Sequence, residues 1–235
     1  MNKKVKGLIG IILSLIVLIF FEEYFYKIIG VLGINISSYS NIIQLIINIF
    51  VKFIMCFLIY FIYKKDLKKK SGKFNIIKNI LIFIVSLIVL TLVMYLFNKY
   101  VVAFIGDVFN INIIYSEFYN IFNKTINLEL IIKIVNDYII VPYLYCSVII
   151  LSADKLCSRN DTYILLSGLF ALIVNALIIR GTVGYAIINS LSIFLIFCIL
   201  AFLNRKENSI WFSIILYSLY LICNVFIMNY FGWYL

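Results

Sequence analysis

Groups that carry charge are scarce in this chain, and those that interrupt long apolar stretches are the first candidates for chemistry. Glu22, Glu23 and Lys27 stand in one such stretch, Lys52 in a second, and Lys133 with Asp137 in a third. Glu23 with Lys27, and Lys133 with Asp137, have the i,i+4 spacing that puts both partners on one helix face. A lone lysine at the centre of a membrane helix costs about 2.5–3.5 kcal/mol on insertion scales, so Lys52 calls for a partner. Its depth predicts a contact with Asp137 or with one of the two glutamates. A polar cluster of Glu22, Glu23, Lys52, Lys133 and Asp137 can act as a clamp between helices, or as a binding or conduction site for a solute. Snorkelling of the lysines to the surface is the third way to satisfy them.

Other chemistries fail on residue types. The chain has no histidine, which removes Ser–His and Cys–His nucleophile pairs and the commonest metal ligand. The five cysteines (Cys56, Cys146, Cys157, Cys198, Cys223) form no CxxC pair, so neither a zinc cluster nor a disulfide framework is predicted. Glu22 and Glu23 are neighbours and point about 100° apart on a helix, which is poor geometry for an acid/base dyad. The apolar stretches hold a single aspartate, Asp137, where an intramembrane aspartyl protease needs two. Walker A and GxGxxG runs are missing. No cofactor and no metal are predicted.

The elements that must position these residues are apolar helices. Hydrophobic residues make up 65% of the chain and charged ones 13%, far from the balance of a soluble domain. They fall in blocks near the ~20 residues that a helix needs to cross hydrocarbon. The fold class predicted is all-α, one transmembrane bundle of about seven spans: 7–29, 42–63, 76–102, 130–152, 162–179, 185–203 and 210–230. The first span follows Lys3, Lys4 and Lys6 and is read as an uncleaved signal-like anchor. The connection 107–129, with Asp107, Phe109, Tyr115, Phe118, Tyr119 and Phe122, is predicted to lie along the interface.

The net charge is +10. The basic residues gather in alternate connections: Lys3, Lys4 and Lys6; Lys64 to Lys73; Lys155 and Arg159; Arg205 and Lys206. That pattern reads as membrane topology and not as nucleic-acid binding. It predicts a bacterial cytoplasmic membrane, with the N-terminus inside and the C-terminus outside. The lysine run 64–73 also suits anionic lipid head groups.

The order of residues from Asn136 to Asn224 resembles the CAAX-protease and bacteriocin-processing family of intramembrane peptidases. The stretch from Val141 and Pro142 to Ile150 looks like the first motif of that family, Ser167 to Asn175 like the second, and Asn208 to Tyr217 like the third. The catalytic groups are replaced. Tyr145 and Cys146 stand where the family has paired glutamates, Ile150 near its arginine, and Asn175 and Tyr217 at its histidines. What the resemblance implies is a pseudo-enzyme, the scaffold without the catalyst. The function expected is a non-catalytic membrane protein that binds or stabilises a membrane or secreted protein or peptide, as a scaffold, chaperone or immunity-type factor. A transporter or channel component built on Lys52, Asp137 and Glu22/Glu23 is the alternative. An atypical peptidase using Cys146 or the carboxylates is the third.

Overall fold

A computed structural model of the chain describes residues 3–21, 25–32, 36–69, 76–109, 128–157, 159–178 and 183–231. Among them there is no strand. The elements are α1 (Lys3–Ile19), α2 (Phe25–Val31), a 3-10 turn (Ile36–Ser38), α3 (Asn41–Lys69), α4 (Ile76–Phe97), α5 (Ala103–Phe109), α6 (Leu128–Val135), α7 (Val141–Leu156), α8 (Asn160–Ile178), α9 (Val183–Glu207) and α10 (Ile210–Phe231). Two π turns, Asn98–Val102 and Asn136–Ile140, join α4 to α5 and α6 to α7 as continuous rods. Helix is the form in which a segment satisfies its own N–H and C=O groups without water.

Five of these rods are long and apolar enough to cross a membrane: Asn41–Lys68, Ile80–Val108, Ile131–Leu156, Asn160–Leu177 and Ala186–Glu207. Two shorter apolar helices accompany them, Leu8–Ile19 and Ile210–Asn224. Several bounds differ from those read in the sequence. Of the first predicted span, 7–29, α1 covers the part up to Ile19, Phe20 and Phe21 follow in a π turn, residues 22–24 lie outside the described residues, and α2 begins at Phe25. The second and third run on past Tyr63 and Val102 to Lys69 and Phe109, so Asp107 lies on a helix. The physical reason is that a change of side-chain polarity marks a membrane boundary but does not end a helix; Lys is a good helix former. Residues 110–127, most of the predicted interfacial connection, lie outside the described residues.

The one proline, Pro142, occupies the first turn of α7, where a missing N–H is tolerated. The rod continues through it because the preceding turn is wound as π, with Val141 N–H bonded to Asn136 O. Between α9 and α10 the chain turns at Asn208 (φ 49°), a left-handed position that asparagine tolerates after a helix.

The rod α6–α7 is the axis of the bundle. It packs against α1, α3, α8 and α10, and Cys146 to Ala153 are all buried. Buried residues are 61% of its membrane-length window, against 22% for α3 and 17% for α4–α5. The outer rods display large apolar side chains, among them Phe50, Phe57 and Phe61 on α3 and Leu81 and Ile88 on α4. A helix apolar all round and half uncovered is suited to hydrocarbon and not to water. The closest pair is α8 with α9. A Cβ on Gly168 would stand 2.5 Å from Cys198 Sγ and 2.8 Å from the Phe194 ring.

Candidate functional site

Among the described residues, a dense polar structure lies at the C-terminal end of α7, where two tyrosine clamps grip consecutive residues, Asp154 and Lys155. In the first, Tyr63 of α3 is fully buried. Its hydroxyl is 2.9 Å from Ser14 Oγ of α1 and 2.7 Å from Ser152 Oγ of α7. Ser14 donates to the Ile11 carbonyl (2.9 Å), so its one hydrogen is committed. Each hydroxyl has a single hydrogen. The chain therefore runs one way, from Ser152 to Tyr63 to Ser14 to the backbone. Lys155 Nζ lies 4.3 Å from the centre of the Tyr63 ring and 3.0 Å from Asp66 Oδ2.

The second clamp repeats these parts on the other side. Tyr163 of α8 is fully buried and accepts a hydrogen bond from Asn204 Nδ2 of α9 (2.6 Å). The Arg205 guanidinium lies 4.6 Å from the ring centre. It donates to Asp154 (3.3 Å), Asn160 Oδ1 (3.1 Å) and the Cys157 carbonyl (3.4 Å). Adjacent residues on a helix point about 100° apart, which is why one turn of α7 serves both clamps. The aromatic faces take up the cations, and each cation offsets a nearby carboxylate. Asn204 Oδ1 is buried with no hydrogen-bond partner among the described residues.

Neither tyrosine stands out in the sequence. Each is a tyrosine near the end of an apolar block close to basic residues, the pattern of an interfacial belt. Lys155 and Arg205, read from the sequence as connection charges, lie in the last turns of α7 and α9 and form ion pairs.

The positions aligned with the peptidase motifs are built into the packing. Cys146 is fully buried, and its thiol faces the Ser213 carbonyl at 3.9 Å. Ser213 Oγ in turn donates to Leu200 O (3.0 Å). Tyr217 packs edge-on against Phe197 at 5.5 Å and lies within electrostatic reach of Cys146 and of Tyr145, which is half-buried. Asn175 is buried elsewhere, with Nδ2 3.3 Å from Ser190 Oγ. Gly168 faces Phe194 and Cys198 on α9, so Asn175 sits about 10 Å further along α8, at a rise of ~1.5 Å per residue. Tyr145, Cys146 and Tyr217 thus share a layer that Asn175 does not.

Lys52, Lys133 and Asp137 fall around the π turn Asn136–Ile140. Lys52 is buried in α3. The contacts Tyr63–Ser152 and Asp66–Lys155 pair α3 with α7 in parallel at a constant offset, which brings Lys52 level with Val141. Helical side chains lean toward the helix N-terminus, here toward the π turn. Asp137 is half-buried and accepts a hydrogen bond from Asn136 Nδ2 (2.6 Å). Asn136 Oδ1 and Tyr138 OH are buried with no hydrogen-bond partner among the described residues. Lys133 is half-buried on α6, and Glu22 and Glu23 lie outside the described residues. Among the described residues no three His, Cys, Asp or Glu side chains form a metal-ligating group.

Comparison with protein-family models, with curated proteins and with solved structures returns no match to this chain.

Proposed function

We propose that the chain crosses a bacterial cytoplasmic membrane seven times, N-terminus inside and C-terminus outside. In this reading it is a non-catalytic scaffold, similar in plan to the CAAX-protease-like peptidases, that holds a membrane or secreted protein or peptide. What supports the orientation is that the ends of α3, α7 and α9, with their lysines and arginines, meet at one end of the bundle through the two clamps. What supports the lack of chemistry is the fate of Cys146 and Tyr217. Both are core side chains, where a reacting group must meet substrate and exchange protons. The test is purification from native membranes in mild detergent with a tag on the chain. A partner retained in stoichiometric amount supports the scaffold; a chain that emerges alone at every step counts against it.

A second reading has its own observation. Lys52 is buried level with a π turn that carries two buried polar atoms without a hydrogen-bond partner among the described residues, and π turns in helices often mark functional sites. A transport component using Lys52, Asp137 and Glu22/Glu23 predicts that Lys52→Met abolishes solute flux in vesicles while the protein still folds. Unchanged flux removes this reading.

A further inference from the structure

The first half of α3 carries a polar stripe. Gln44, Asn48 and Lys52 follow one another at i,i+4 spacing and share one face of the helix. Gln44 and Asn48 are half-buried and Lys52 is buried, while Ile43, Ile46, Phe50 and Phe53 are exposed. The stripe therefore faces the bundle, where α3 packs along α6 and the π turn Asn136–Ile140. The offset that sets Lys52 level with Val141 sets Asn48 level with Asp137 and Gln44 level with Lys133. The π turn decides what the stripe meets. The face of α7 that reaches α3 through Ser152 continues, turn by turn, through Val148, Tyr145 and Val141. In an unbroken α-helix its next positions are Asp137, Ile134 and Leu130. The extra residue of the π turn sets Asn136, Lys133 and Glu129 there instead, so polar residues face polar residues. Glu129, Lys133 and Asp137 are half-buried. Asn136 is 5% exposed, and its Oδ1 has no hydrogen-bond partner among the described residues. From Gln44 to Lys52 the seam runs about 12 Å at ~1.5 Å per residue, and its lining passes from half-buried to buried. Charged groups at membrane depth face one another or a water-filled cavity. Lys52 and Lys133 stand here with Glu129 and Asp137, so the lining offers both signs of charge.

We propose that the seam between α3 and α6 is a water-filled cleft that admits a small zwitterionic solute. It is entered at the Gln44 end, away from the two clamps, and closes at Lys52. Passage of the solute rests on the transport reading above; the water in the seam does not.

Single substitutions Q44C, N48C, K52C and N136C are made in the full chain, with F50C, F53C and I139C as lipid-facing controls. Membranes opened by sonication are treated with a charged methanethiosulfonate, and labelling is counted above that of the parent chain. Thiolates form in water and not in hydrocarbon, so the seam positions are expected to react about tenfold faster than the controls. Along α3 the rates should fall in the order Gln44, Asn48, Lys52. Labelling of N48C and K52C no faster than of F50C and F53C would mean a dry seam of helix-to-helix hydrogen bonds and overturns the proposal. If K52C does not fold, N48C against F50C decides. A labelled seam with unchanged flux in Lys52→Met would keep the water and overturn the solute. A dry seam with flux that still depends on Lys52 would overturn the cleft and leave the transport reading standing.

Discussion

At the scale of single residues, the two tyrosine hydroxyls are the most exacting groups in the molecule. Tyr63→Phe removes the middle of a three-hydroxyl chain and leaves Ser152 Oγ buried without its acceptor. Tyr163→Phe strands Asn204, whose Oδ1 already lacks a partner among the described residues. Each change is expected to lower stability by about 1–3 kcal/mol, measured as unfolding by denaturant in micelles. A loss within error would mean that the hydroxyls do not hold the helices. Arg205 uses three donors on three acceptors, so Arg205→Lys is expected to lose most of what Arg205→Gln loses. Cys146 follows from burial alone. Maleimide should label it only after denaturation, and rapid labelling of the native protein would reopen the case for a reactive thiol.

At the scale of elements, the contact of α8 with α9 depends on the absence of a side chain at Gly168. Membrane helices gain little from hydrophobic exclusion and rely on close packing, which small residues permit. Gly168→Leu drives a branched side chain into Phe194 and Cys198 and is expected to cost roughly 1–3 kcal/mol. The comparison is Gly30, whose Cβ would meet nothing within 4 Å, so Gly30→Ala should be nearly silent. The same denaturation assay separates the two. Equal tolerance at both positions would show that the two helices are not held this closely.

At the scale of the whole molecule, the bundle has an axis and a rim. The rod α6–α7 is covered by neighbours, while α3 and α4–α5 offer apolar flanks to their surroundings. Spin labels at Phe53 and Leu81, both exposed, should be relaxed by oxygen dissolved in the bilayer, and a label at Val148, fully buried, should not. Uniform accessibility would break the arrangement. Seven crossings also require the two chain ends to lie on opposite sides. Cysteines introduced at Asn2 and Leu235 should differ in labelling by a membrane-impermeant reagent in intact cells, and labelling of both from outside would leave an even number of spans.

Much of this was legible from residue order. Blocks such as Ile80 to Leu96, without a single charge and long enough to cross hydrocarbon as a helix, satisfy their backbone groups internally where no water is offered, so fold class needs no tertiary information. The clustering of lysines and arginines likewise set the expectation of sidedness before any contact was known. Partners were not legible. Ser14, Tyr63 and Ser152 lie on three different helices and carry no signal in their own neighbourhoods, and their meeting depends on how α1, α3 and α7 cross. Nor does polarity along the chain tell Lys155, clamped between Tyr63 and Asp66, from Lys65, which is exposed. Hydropathy is a property of each residue, and it chooses the solvent. A contact depends on distance between residues far apart in order, and only the packing of helices against α7 decided which charges are held inside and which face outward.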